Sequence, residues 1–567
     1  MRELGRLGIK LGALLALCAG CGVSERFPVE HVGQQRETLT VATRQAVLGV
    51  SDPLSGAAFG AALAFDGDRL VVGAPGDEAA YVFLRQGDQW SEEAKLVAGS
   101  GKRELGHAVA IAGDTVIVGA PKDGEVAAEA GAAHVFVREQ GAWKEKAKLL
   151  AVDAAAGDLY GSAVALSGDE VLVAGTQSGA FASGFAHVYK GAGTVWAEES
   201  GVLVPASPSF DDAFGVSVAM SGDTAVIGAY FASIPGVGEA VGAAYVFRRT
   251  DGSWKQEARL VGSTATSNAL TGRAVALSAD GNTILAAAPS LVSASQGTGA
   301  VFVFRRGPEG WAEEGKLVAG DAGPGDELGI SVALSGDTAV LGSDRFHDGK
   351  GPGAVYVFTR SDHTWIRQLR IDETDAMPGD RLGSAVALSG DTVIVGARLA
   401  GAMGAAYVYQ LRLAKGELCT AATSCESGFC VDGVCCDTAC GGGDPDDCQA
   451  CSTAFNAAAN GTCLVLEPDV VCRAPSATCA TPTTCDGQSK TCPANPAPVN
   501  PPPCDPSGGS TSGSTGGADQ PPTEDGCTIR PVAPASPAVL LPLALLAALR
   551  RRPRRKTVLP ADFSRRF

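Results

Sequence analysis

At 567 residues with 74 glycines and only 6% aromatic side chains, the chain is too long for one ordinary hydrophobic core but suits an array of short strands joined by tight turns. The formal charge of −17 masks two basic ends: without residues 1–20 and 550–567 the body holds 34 basic against 60 acidic side chains, a balance that argues against nucleic acid and anionic lipid as partners of the folded part. Of the 17 cysteines, Cys18 and Cys21 lie near the start, fourteen crowd residues 419–504 and Cys527 stands alone, a distribution that belongs to an oxidising, exported setting.

In chain order, Arg2, Arg6 and Lys10 precede an apolar run at 11–17, which ends in Cys18-Ala19-Gly20-Cys21. This resembles a bacterial lipoprotein signal with Cys21 as the acylated residue, departing from the pattern in Cys18. The alternative is an ordinary secretory signal cut nearby. Two acyl chains on Cys21 would make membrane attachment stable. The resemblance, with Gly22 rather than Asp after the cysteine, implies a lipoprotein of the outer membrane or cell surface. Residues 22–37 read as linker.

Seven near-copies of one pattern follow, among them FGAALAFDGDRLVVGAP from Phe59, LGHAVAIAGDTVIVGAP from Leu105 and LGSAVALSGDTVIVGA from Leu382. Their leading glycines are Gly60, Gly106, Gly161, Gly215, Gly272, Gly329 and Gly383, spaced 46 to 57 residues apart. A period of that size means one supersecondary unit per copy. The second copy predicts strands at 107–112, 115–119, 132–137 and 143–150, rich in the residues that fill a pleated surface. Gly113-Asp114 and its equivalents between the first two strands give strong hairpin chemistry. All six Trp, Trp90, Trp143, Trp196, Trp254, Trp311 and Trp365, open a fourth strand, and the seventh copy lacks one. Residues 44–48 align with 256–260, which predicts that an N-terminal strand completes the last unit. The resulting fold class is all-β: a seven-bladed propeller over residues 38–412 with no free edge. An open solenoid is the alternative, and it would have no use for the spare strand.

These copies resemble FG-GAP repeats, the units of the integrin α-chain propeller and of many bacterial surface proteins. The match is specific in Phe59-Gly60 and Gly73-Ala74-Pro75 and weaker where Leu, Tyr or Thr replaces Phe. Calcium-binding members carry an Asp-rich loop between the first two strands. Here it has shrunk to Gly-Asp in six copies, and residues 278–282 lack the Asp spacing, so no calcium and no other cofactor is expected.

The loops from second to third strand vary widely and present Phe231, Ile234, Arg345, Phe346 and His347 as candidate ligand-face residues. Asp158, Asp212, Asp326 and Asp380 stand just before the leading glycine and suggest either turn caps or an acidic arc for a cation or basic ligand. Variable loops on a rigid ring are where recognition concentrates. Catalysis finds no support: only six His occur, none in a nucleophile or metal motif, and His134 and His187 read as packing residues. No triad can be assembled.

The fourteen cysteines Cys419, Cys425, Cys430, Cys435, Cys436, Cys440, Cys448, Cys451, Cys463, Cys472, Cys479, Cys485, Cys492 and Cys504 define a cysteine-rich segment at 413–505, and residues 419–504 hold only ten Leu, Ile, Val or Phe. That is too few to build an ordinary core. The even count suggests seven disulfides in its place, with connectivity open. Zinc at Cys448 and Cys451 is the weaker reading, since the segment has no His. The run from Cys435 to Cys451 resembles cysteine-rich stalks of myxobacterial surface proteins. A Ser/Gly/Thr/Pro-rich spacer at 506–526 follows. The segment 527–567 joins Cys527 to an apolar stretch broken by Pro534, Pro537 and Pro542 and then a basic tail. It resembles the C-terminal sorting signal of myxobacterial surface proteins, with processing near Cys527, although the tail to Phe567 is longer than usual. A plain tail anchor is the alternative, made poor by the prolines.

Three functions remain open at this stage: a noncatalytic surface or adhesion propeller binding a protein or glycan, an envelope scaffold, and an enzyme with an unrecognised site.

Overall fold

The computed structural model describes residues 39–490 except 40, 53, 100–102, 177–182, 200, 210, 294–295, 346–350, 420, 432, 441–448, 452–459, 467–470, 474–482, 486–487 and 489. The described residues contain no α-helix, only 3-10 turns at Pro75–Asp77 and Ala422–Ser424, and no helix long and apolar enough to cross a membrane.

Seven four-stranded antiparallel sheets form the blades. In the second they are Ala108–Ala112, Thr115–Ala120, Ala132–Glu139 and Ala142–Leu149, close to the strands read from sequence. The first strands neighbour one another around the axis, and that of the last blade, Leu382–Ser389, meets that of the first, Ala62–Asp66. The second and third strands are covered on both faces by adjoining blades, so Val116 to Ala120 and Ala132 to Phe136 are buried without alternation. Outer strands face solvent on one side: Trp90 is half-buried between the exposed Gln89 and Ser91.

The seventh blade is completed as the sequence predicts. Val41–Leu48 pairs antiparallel with Ala405–Arg412, from Val41 opposite Arg412 to Leu48 opposite Ala406, with a bulge at Gln45. The first blade has the same register and the same bulge, at Glu93. The N-terminal strand therefore replaces a missing outer strand residue for residue and leaves the ring closed.

The recurrent glycines mark where blades touch. Gly106 has φ 97°, and a Cβ there would lie 2.1 Å from the Ala79 carbonyl oxygen of the preceding blade. Across the same seam a Cβ on Gly73 would lie 2.1 Å from the Gly106 oxygen. In such copies the two glycines serve one interface, the second of one blade against the first of the next, while the fifth copy has Ala287 in the second place. The closure repeats it: a Cβ on Gly396 would lie 2.1 Å from the Gly60 oxygen, and the Phe59 N–H donates to the Met403 carbonyl at 2.8 Å. The residue before each leading glycine is buried in all seven copies, Thr271 included. The Thr271 hydroxyl has no hydrogen-bond partner.

A second latch runs around the rim. The bulged Glu93 accepts from Arg138 Nε at 2.8 Å and Trp143 Nε1 at 3.0 Å, both on the next blade. Glu257 takes Arg306 and Trp311 in the same way, and Glu314 takes Arg360 and Trp365. Three of the six Trp residues that count the blades, Trp143, Trp311 and Trp365, are therefore donors to a carboxylate three residues after the preceding blade's own Trp.

After Arg412 the chain enters a region held by cross-links. Cys419 pairs with Cys430, Cys425 with Cys435, Cys436 with Cys451 and Cys440 with Cys463, two successive modules of interleaved loops. Cys485 is also disulfide-bonded. Cys451 being in a disulfide removes it from the zinc reading. Cys448, Cys479, Cys492 and Cys504 lie outside the described residues, as do Cys21, Cys527, the linkers at 22–37 and 506–526 and both terminal signals.

Candidate binding face and axial cleft

Two-residue Gly-Asp hairpins crowd one end of the blades. In the sixth, Ser335 pairs with Thr338 around Gly336, whose φ is 56° while Asp337 stays outside the positive region, the type II′ pattern that matches strand twist. Asp337 accepts from Arg360 Nε at 2.7 Å, tying the hairpin to its own third strand.

The opposite end carries the long loops, and at the axis they share one backbone device. Two residues before each leading glycine stand Ala58, Glu104, Leu159, Ala213, Leu270, Glu327 and Arg381, each non-glycine and each with φ between 51° and 64°. The carbonyl of each accepts the N–H three residues on, as in His107 to Glu104 at 3.1 Å and Arg273 to Leu270 at 3.2 Å. A left-handed non-glycine residue is uncommon. Seven in a ring, occupied by Ala, Leu, Glu and Arg in no fixed order, means that the turn is fixed and the side chain left free to vary.

The four aspartates before the leading glycines cap their own turns. The carboxylates of Asp158, Asp212, Asp326 and Asp380 accept the N–H of the residue three positions upstream, at 2.6, 2.9, 2.6 and 2.7 Å. Asp158, Asp212 and Asp326 are buried, and burial pushes the Asp212 carboxyl above its usual range. Of the two readings of these residues, the geometry is that of turn caps.

Of the loop candidates, Phe231 is 42% exposed and its ring lies 4.0 Å from that of Tyr230. Ile234 is corrected: it is buried, packed in the hydrophobic cluster of the fourth blade, because its loop folds back through an Ile234 N–H to Gly238 bond of 3.0 Å. Arg345 is exposed and pairs with Glu327 at 3.0 Å. Phe346 and His347 lie outside the described residues. His134 and His187 are buried as packing residues, and each Nδ1 also meets a glutamate, Glu145 and Glu198, at 2.8 Å.

A cleft of about 720 Å³ opens beside the axis across the second to fifth blades. Its walls include His107 and Lys122 from the second, Leu159 and Thr176 from the third, Asp211, Tyr230 and Phe231 from the fourth, and Arg273 from the fifth. Lys122 is paired with Glu104 at 2.7 Å. His107 is exposed, with its Nδ1 3.7 Å from the Glu104 carboxylate, and desolvation pushes its imidazole below the ordinary range against the pull of that carboxylate. The Arg273 guanidinium lies over the Tyr230 ring, 5.7 Å from its centroid. Reading the sequence for exposed loop residues missed His107 and Arg273. Both follow a leading glycine directly, where the copies read Ala61, His107, Ser162, Val216, Arg273, Ile330 and Ser384. That variable column beside an invariant one was the available signal.

A model of the FG-GAP repeat matches residues 42–83, 90–136, 143–189, 196–247, 311–358 and 365–409. Six of the seven blades are FG-GAP repeats. Each match runs from an outer strand through the third strand of the next blade, and the first begins in the N-terminal closing strand. The fifth blade falls between matches; there Thr271 replaces the large apolar residue and the first hairpin lengthens to Ser278-Ala279-Asp280-Gly281-Asn282. No curated protein matches the chain.

Proposed function

We propose that the protein is a noncatalytic surface-binding propeller that recognises a protein or glycan at the cell surface through its variable loop face. One observation carries this reading: one backbone turn, repeated seven times around the axis, presents side chains that range over Ala, Leu, Glu and Arg, whereas the Gly-Asp hairpins of the opposite face are nearly uniform. A fixed frame with varied side chains is how recognition surfaces are built on repeats. The aspartates before the leading glycines are engaged in turn caps, and Glu93, Glu257 and Glu314 in interblade bonds, which favours binding over catalysis. The signal-like N-terminus favours attachment to the outer membrane through lipid on Cys21, with the cysteine-rich segment as spacer and sorting or processing near Cys527.

The test is capture of surface material by the full chain, by pull-down and glycan array, before and after exchange of residues 230–241 and 344–352 for the short loop of the first blade. Binding lost with the exchange is the expected result, and binding indifferent to it rejects the reading. Palmitate labelling that disappears in Cys21→Ala, and mass spectrometry of the mature C-terminus, check the two ends.

A further inference from the structure

We propose that the axial cleft across the second to fifth blades is a binding site for an acidic glycan, with Arg273 taking a sugar carboxylate and Phe231 offering a stacking surface; this rests on the reading of the loop face as the recognition surface. Arg273 is the first support. Among the described residues no carboxylate lies within ion-pair distance of it, although it is half-buried and its ring contact with Tyr230 holds it in place. Four other cations of the same face are matched: Lys122 to Glu104, Arg345 to Glu327, and Arg381 and Arg398 to the buried Asp344. In a body with 60 acidic side chains against 34 basic ones, an unmatched guanidinium facing a concave cleft is poised for an anion brought from outside.

The class of anion follows from the remaining walls. Phe231 and Tyr230 form a tilted pair, and the exposed Phe231 ring gives the apolar face of a sugar ring a surface to lie on. Thr176 and His107 carry groups that can hydrogen-bond hydroxyls, and Asp211 is exposed and can accept from them. A peptide would need open backbone, but the backbone here is already engaged between blades. Leu159 N–H donates to Glu129, Tyr160 N–H to Ala130 and Phe231 N–H to Asp212, at 3.1, 2.9 and 3.1 Å. With no strand edge to extend, reading falls to side chains, and a cleft of this volume is within the range that ligand sites occupy.

The experiment is calorimetric titration of the full chain with tetramers of galacturonate, glucuronate and mannuronate, each beside its methyl ester, and with a tetraglutamate peptide. At least one uronate should bind, with its ester about tenfold weaker or more, the loss expected for a charge-assisted bond. Arg273→Gln should cause a similar loss and Arg273→Lys a smaller one. Phe231→Ala should weaken acid and ester alike. Asp88→Asn, on the opposite face, should change nothing, and the melting temperatures should show that all variants are folded. The inference is overturned if no uronate binds, if ester and acid bind equally, if Arg273→Gln is without effect, or if tetraglutamate binds more tightly than every uronate. Capture that still depends on the exchanged loops would then leave the broader reading standing, while loss of both would end both.

Discussion

The propeller and the cysteine-rich segment solve one problem by different means. From Val41 to Arg412, each blade buries its middle strands against two neighbours, and close glycine contacts and rim carboxylates fix the spacing. From Cys419 to Cys463, the small clusters around Leu413 and Val434 are composed largely of the cysteines themselves. Where apolar side chains are plentiful, stability comes from burial and the chain can vary its loops. Where they are few, covalent links stand in, each contributing about 2–4 kcal/mol. The difference teaches that variable recognition residues belong on the first region, whose frame does not depend on them.

Reduction should break this contrast most visibly. Dithiothreitol should abolish ordered structure in residues 419–463, seen as fast amide exchange, while the propeller keeps its melting temperature within ~2 °C; a large fall in that temperature would mean the two regions share their stability. Opening the ring is the next largest perturbation. Deleting residues 38–48 removes the strand that covers Ala405–Arg412, and the chain should lose cooperative unfolding and aggregate through the exposed edge. A truncated chain that melts as a sharp monomeric transition would argue for an open array.

Single residues sharpen the account of the seams. Gly106→Ala places a methyl group against the Ala79 carbonyl at a left-handed backbone position, and about 3 kcal/mol or more should be lost in denaturant titration. Glu93→Gln should cost about 2 kcal/mol, since Arg69, Arg138 and Trp143 all donate to that carboxylate. Burial tends to raise the carboxyls of Glu93 and Glu314, but the donors around them prevail and hold both below the usual range. Their folded state thus binds protons less readily than the unfolded one. Their stabilisation is complete above the unfolded pKa of about 4.3 and lost as pH falls toward the lower folded values. Asp212 and Glu327, held high by burial, act in the opposite sense. Glu93→Gln should therefore flatten the loss of melting temperature between about pH 5 and pH 3. Least of all, Thr271→Val should raise stability by about 1 kcal/mol by removing an unpartnered buried hydroxyl.

Much of the frame was legible because repetition amplifies weak signals. The Trp residues and Gly-Asp turns marked strands and hairpins, and the likeness of residues 44–48 to 256–260 revealed the closing strand. The rim latch was not legible: it pairs Glu93 with Trp143 fifty residues on, and only the register of the bulge turns that glutamate toward the next blade. Ile234 was misjudged because an apolar residue in a long loop can fold inward. Arg273 was passed over because a strand residue beside an invariant glycine reads as framework. The disulfide pairings lie beyond composition, since many connectivities fit one spacing.

The most direct test of the loop face as the recognition surface is site-specific photo-crosslinking on intact cells, with the photoreactive residue placed at Phe231 in one strain and at Asp88, on the hairpin face, in another. Loop-face recognition predicts adducts to surface material from position 231 and none from position 88. Adducts from position 88 alone, or equally from both, would contradict it.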